Sequence, residues 1–263
     1  MVVVMPLTAR NWANVVAYVA MVIVNGLAGS TTIIGGKVTA DISDANPTLV
    51  TPAGFTFAIW GVIYLLLAVF VIYQLLPPAR GERFQGRIGW LFVLSSALNI
   101  LWLFAWQYEQ LPLSVAIMFL LLATLIAIYL RLDIGRAKVR RREMLAVHLP
   151  FSVYLGWITI ATIANVSATL VSLGWDGFGI DAETWALIII AVAVVIAVLV
   201  AVTRRDVGYE LVIVWAFIGI AANQGSNPTI VAATLTGIAV VAIALLVSLV
   251  MTGRRGTKWR LSQ

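Results

Sequence analysis

Residues 148–174 read HLPFSVYLGWITIATIANVSATLVSLG, a run apolar enough to cross a bilayer that nevertheless carries Tyr154, Trp157, Thr159, Thr162, Asn165 and Ser167. A helix in hydrocarbon gains nothing from a mid-span Asn or Trp unless another helix or a ligand meets it. Ala161, Ala164 and Asn165 stand four, seven and eight residues after Trp157. At 100° per residue they share about a third of the helix circumference. One face therefore presents a large ring, two small gaps and an amide. Two readings stand at this level: helix packing with Asn as interhelical glue, or the wall of a ligand site.

Working outward, the chain has 263 residues, 62% hydrophobic and 11% charged, with mean hydropathy +1.03. A soluble domain would carry about 25% charged residues. Together with repeated apolar runs of about twenty residues, this marks an all-α, polytopic membrane bundle. Eight spans are expected, at 12–34, 54–76, 88–107, 111–132, 148–172, 184–203, 208–224 and 229–252. The first is read as a retained span, not a cleaved signal peptide. With loops alternating sides, sixteen of the seventeen Lys and Arg fall on one side and only Lys37 on the other. The positive-inside rule makes the basic side cytoplasmic, with both termini there, in the cell (cytoplasmic) membrane. The net charge of +6 thus reads as topology signal and anionic-lipid contact, not as a nucleic-acid surface. No cysteine is present, which excludes disulfides, thiolate nucleophiles and Cys-based metal sites.

The long outer loop GGKVTADISDANPTLVTPA (35–53) is either an ordinary solvated loop or a lid. Span two clusters Phe55, Phe57, Trp60 and Tyr64, the last two on one face. Span three carries Asn99 and Trp102, three apart. Trp215 to Asn223 (WAFIGIAAN) matches Trp157 to Asn165 (WITIATIAN) in its Trp, Ile, small residue, Ala and Asn positions; the pair is either a weak internal repeat or chance agreement or convergence between two apolar helices, the second being the favoured reading. Of ten tryptophans, Trp12, Trp90, Trp106, Trp175, Trp185 and Trp259 fall near span ends, where an aromatic belt is expected. Trp60, Trp102, Trp157 and Trp215 lie deeper, and their indole N–H groups need partners within the bundle. Together with Asn99 and Asn165 they outline an aromatic cavity suited to a flat, apolar ligand.

No Asp, Glu, Lys or Arg lies deep inside a span. Arg131 and Glu210 mark inner edges, and His148, the one histidine, reads as an interfacial residue. Proton-coupled machines, hydrolases and metal enzymes need groups absent from this pattern, and no Gly-rich phosphate loop is present. The expectation is therefore no enzyme, no required cofactor and no metal.

Spans two, three and five resemble the TspO/MBR family, the tryptophan-rich sensory proteins related to the mitochondrial translocator protein. The residues that carry the resemblance are Pro52, Trp60 and Tyr64; Leu98, Asn99 and Trp102; and Tyr154, Trp157, Ala161 and Asn165. The long first outer loop is similar to that family's lid. The chain departs from the pattern at Gly54 or Phe55, where the family has Trp, and at Val153, where it has Pro; Pro150 stands three residues earlier. The resemblance covers about residues 10–172. It implies a five-helix bundle (1–172) with three extra spans and a basic tail (173–263).

It further implies a pocket open toward the outer loop that takes a tetrapyrrole, sterol-like or other hydrophobic molecule, often in dimers. Pro52, Phe57, Trp60, Tyr64, Asn99, Trp102, Tyr154, Trp157, Ala161 and Asn165 are the expected ligand-binding residues, with the asparagines holding either helix contacts or ligand polar groups. The partners expected are the lipid bilayer, a hydrophobic small molecule and a second copy in a homodimer. The reading is a membrane binding protein for sensing or transport of a flat hydrophobic ligand. The alternatives are a permease whose moving pair is spans five and seven, and a structural subunit of a membrane complex.

Overall fold

The computed structural model describes residues 6–260, with side chains described through Met251. Trp259 and the basic tail residues Arg254, Arg255, Lys258 and Arg260, expected as belt and topology anchors, lie outside the described side chains. Among the described residues the chain is helical, with no strand. Its helices are α1 (Ala9–Ser30), α2 (Thr39–Ala45), α3 (Ile59–Leu75), α4 (Arg83–Ile88), α5 (Leu91–Gln107) and α6 (Leu111–Leu132), followed by α7 (Arg141–Ser172), α8 (Ala182–Thr203), α9 (Val207–Asn223) and α10 (Pro228–Arg260). Six are long and apolar enough to cross a membrane, counting α3 with the tight turn Gly54–Ala58 that leads into it; α5 and α9 are apolar but shorter. The eight apolar helices coincide with the eight expected spans.

The central helix by sequence is central in space. In its apolar stretch 72% of residues are buried, against 22–39% in the other five long helices. It packs on α3, α6 and α9; α5 pairs with α1 and α6, while α10 closes on α8 and α9. The α7–α9 contact joins the first five apolar helices to the last three. That contact is close because Gly156 faces α9: a Cβ there would meet Val212 Cβ at 3.1 Å and Tyr209 O at 3.2 Å.

Local sequence explains the irregularities. Pro150 has no N–H to give Ala146, so the preceding turn, Met144–His148, widens into a π turn in which Leu149 N–H reaches Met144 O. Span three was expected to begin at 88, but Gly89, with φ +57, breaks the chain into α4 and α5. Helix α4 buries Phe84, Gln85 and Ile88, so the basic loop it interrupts folds back on the bundle. There an amide clasp ties α1 to α3 and α4: Asn11 donates to Gln85 (3.0 Å) and Asn14 to Gln74 (2.8 Å).

The loop 35–53 is a packed cap, not a solvated connection. Gln107 donates to Ala28 O and Lys37 O (3.1 and 3.0 Å), and Trp106 Nε1 donates to Thr39 O (3.2 Å). Gly35 (φ +70) lies so close to this contact that a Cβ would fall 2.2 Å from Gln107 O. From the other side α9 holds the loop's second half. Ala53 N–H donates to Gly219 O (3.0 Å), Asn223 to Thr51 O (3.0 Å), and Gln224 to Thr48 O (3.4 Å). Lys37 pairs with Glu109 at 2.5 Å, both half exposed, so this ion pair adds little.

Candidate functional site

Beneath the cap, rings from α3, α5 and α7 converge on Trp60. Tyr64, one turn later on the same helix, stacks on it at 5.7 Å between ring centroids. Trp102 stacks from α5 at 6.4 Å, while Tyr154 and Trp157 of α7 meet it edge-on, each at 6.2 Å. Phe57 packs edge-on against Trp157 at 5.9 Å. Each such pair contributes about 0.5–1.5 kcal/mol beyond area burial. In lipid, where apolar burial alone does not bind helix to helix, these ring contacts are a main source of cohesion.

The amides of the cluster, the Tyr154 hydroxyl and the Trp102 N–H are spent on helix contacts. Asn25 of α1 donates to Asn99 Oδ1 (2.6 Å), and Asn99 Nδ2 donates to the Tyr154 hydroxyl (3.2 Å). Asn165 Oδ1 accepts from Trp102 Nε1 (3.0 Å), and Asn165 Nδ2 donates to Ser114 Oγ (2.9 Å). Asn99 and Asn165 are therefore interhelical glue, the first of the two roles open to them. One buried donor is left over: Trp157 Nε1 has no acceptor.

Of the ten expected residues, eight belong to this connected set of rings and amides. Ala161 is half-buried beside it. Pro52 is buried in the cap, and none of the described hydrogen bonds or ring contacts involves it. Two tryptophans exchange roles. Trp106, placed in the aromatic belt by its position, is buried and stacks on Trp102 at 5.9 Å, because α5 turns that face inward. Trp215, expected among the deep rings, stands apart: its ring meets Phe55 edge-on at 5.5 Å and its Nε1 donates to Thr56 O (2.9 Å). Sequence reasoning missed Asn25 and Ser114. Asn25, a mid-span amide in an apolar helix, carries the same signal as Asn165; Ser114 carries none.

The rings fill the space they enclose, stacked or edge-on at van der Waals range, so the cluster stands closed. An apolar crevice lies elsewhere on α7, under the cap, lined by Val50, Ile160, Ile163, Phe217 and Ile220 with about 10 Å³ of free space, room for one water. Among the described residues no group of three or more His, Asp or Glu could hold a metal. Comparison with known proteins gives one match: the family model described as TSPO-like protein aligns with residues 11–247. No curated protein and no solved structure matches the chain.

Proposed function

The chain belongs to the TSPO-like family, and from that premise we propose that it binds a flat hydrophobic molecule among the rings that surround Trp60. The observation that carries this reading is Trp157. Its N–H is buried without an acceptor, whereas the two amides, the Tyr154 hydroxyl and the Trp102 N–H of the cluster are paired. Leaving such a donor unmet costs about 1–3 kcal/mol, which a ligand oxygen or nitrogen recovers on binding. The ligand class is a tetrapyrrole or sterol-like molecule with at least one acceptor. Trp60, half-buried, is the ring that swings aside, and its four ring contacts pass to the ligand face.

The protein acts by binding, not catalysis, and needs no cofactor. The basic end faces the cytoplasm, and a second copy pairs with it in the membrane. The test is titration of the purified protein with protoporphyrin, read by tryptophan quenching. Saturable quenching in the parent that weakens at least tenfold in Trp157→Phe, which keeps the ring and removes the donor, supports the proposal. Equal affinity in a Trp60→Ala/Trp157→Ala double variant overturns it.

A permease is the second reading, favoured by α9, which packs on the site helix at one level and fastens the cap at another. Vesicle uptake that depends on Trp215 and Asn223 would select it.

A further inference from the structure

The basic end of the bundle buries polar side chains without satisfying them. His148 Nε2, Arg205 Nε and both carboxylate oxygens of Glu210 lack hydrogen-bond partners, and the Tyr129 hydroxyl lies beside Asp206. Tyr129, His148, Asp206 and Glu210 are 4%, 5%, 7% and 1% exposed. By position Glu210 is an inner-edge residue; in the fold it is enclosed.

The two acids are treated differently. Asp206 caps α9, and its Oδ1 accepts from Gly208 N–H (3.1 Å), Tyr209 N–H (3.3 Å) and the Ser152 hydroxyl (2.5 Å). Glu210 follows one turn later on the same helix, its N–H bonded to Asp206 O, and its carboxyl accepts nothing. Asp206 lies close enough to act electrostatically on Glu210, Tyr129, Tyr209 and His148.

Among the described residues no cation forms an ion pair with Glu210; Arg205, next to Asp206, keeps its buried Nε without a hydrogen-bond partner. Helix α6 brings Tyr129, and α7 brings His148, whose Nε2 is 3.9 Å from Glu143. Tyr209 donates to Thr159 (3.2 Å). Arg204 is committed to Asp133 at 2.7 Å and lies over the Tyr129 ring. Helix α8 at this end and α10 through Met251 bring no titratable residue. Among the described residues no ion pair reaches Asp206 or Glu210. Two adjacent buried carboxylates cannot both stay ionised unless a cation joins them, since an unpaired buried charge costs several kcal/mol. The described residues lack a metal-ligating set, and the cation that suits one paired and one bare carboxyl is a proton.

We propose that Glu210 is a proton-binding site at the basic end, carrying its proton beside the hydrogen-bonded carboxyl of Asp206. Release breaks the Glu210 O–H bond and delivers the proton to water on that side; uptake reverses the step. The site is separate from the aromatic cluster, and its existence does not depend on what the cluster binds.

Infrared difference spectra of the full chain in lipid nanodiscs test it. The parent at neutral pH shows a protonated carboxyl C=O band that shifts in D2O, is unchanged when Na⁺ is replaced by K⁺ or a bulky organic cation, and disappears in Glu210→Gln while persisting in the control Asp44→Asn. Proton release on alkalinisation, followed with an indicator dye, falls by one per chain in Glu210→Gln. A parent spectrum with no such band at neutral pH overturns the proposal even if the variant fails to fold. So does a band that appears only when Na⁺ is withdrawn, or one that survives Glu210→Gln.

Discussion

Trp157 to Asn165 and Trp215 to Asn223 share four residue types and a fifth small residue at the same spacing, run in the same direction and pack on each other, yet they do different work. In α7 the ring enters the aromatic cluster and the amide is buried between Trp102 and Ser114. In α9 the ring and the amide both leave the bundle interior for the cap, donating to the Thr56 and Thr51 carbonyls. The fifth position separates them most clearly. Ala161 is half-buried and has room for its methyl group, whereas a methyl at Gly219 would fall 2.0 Å from Thr56 Oγ1. Equal spacing puts side chains on equal faces of a helix; what each face meets is set by the neighbours.

Substitutions that exchange the two segments' properties should break this contrast in a definite order. The largest effect is expected from Gly219→Ala, which forces the cap off α9 and costs about 1–3 kcal/mol in thermal or denaturant unfolding. Thr56→Ala should restore part of that loss, and no rescue would mean the contact is not the cause. Next comes Asn165→Ala, which strands the Trp102 N–H and removes a Ser114 partner, at about 1–2 kcal/mol. Trp215→Phe keeps the edge contact with Phe55 but loses the bond to Thr56 O, at about 0.5–1 kcal/mol; faster tryptic cleavage after Lys37 would report the loosened cap. Asn223→Ala, at an exposed position, should change unfolding by less than about 0.5 kcal/mol while still raising cleavage of the cap. If Asn223→Ala proves costlier than Asn165→Ala, the assignment of interior and strap is reversed.

How far the sequence could be read divides along the same line. The eight apolar helices follow from hydropathy, and the Trp60–Tyr64 stack follows from their four-residue spacing, because both are properties of a single helix. Trp106 is misplaced by its position because depth along a span says nothing about rotation around it. The cap's fastenings are invisible in the sequence because their acceptors are backbone carbonyls of Lys37, Thr39, Thr51 and Thr56, which leave no mark on residue type. Glu210 looks unremarkable near a helix end, whereas its enclosure depends on how helices distant in sequence pack around it.

The cap's attachment to α9 also bears on how the protein is made. Trp215, Asn223 and Gln224 reach back 159, 172 and 176 residues to Thr56, Thr51 and Thr48. As the ribosome feeds the chain into the bilayer, the loop 35–53 is made long before its second set of fasteners has been translated. The ring cluster can form beneath a half-secured cover, and only insertion of the seventh apolar helix locks it down.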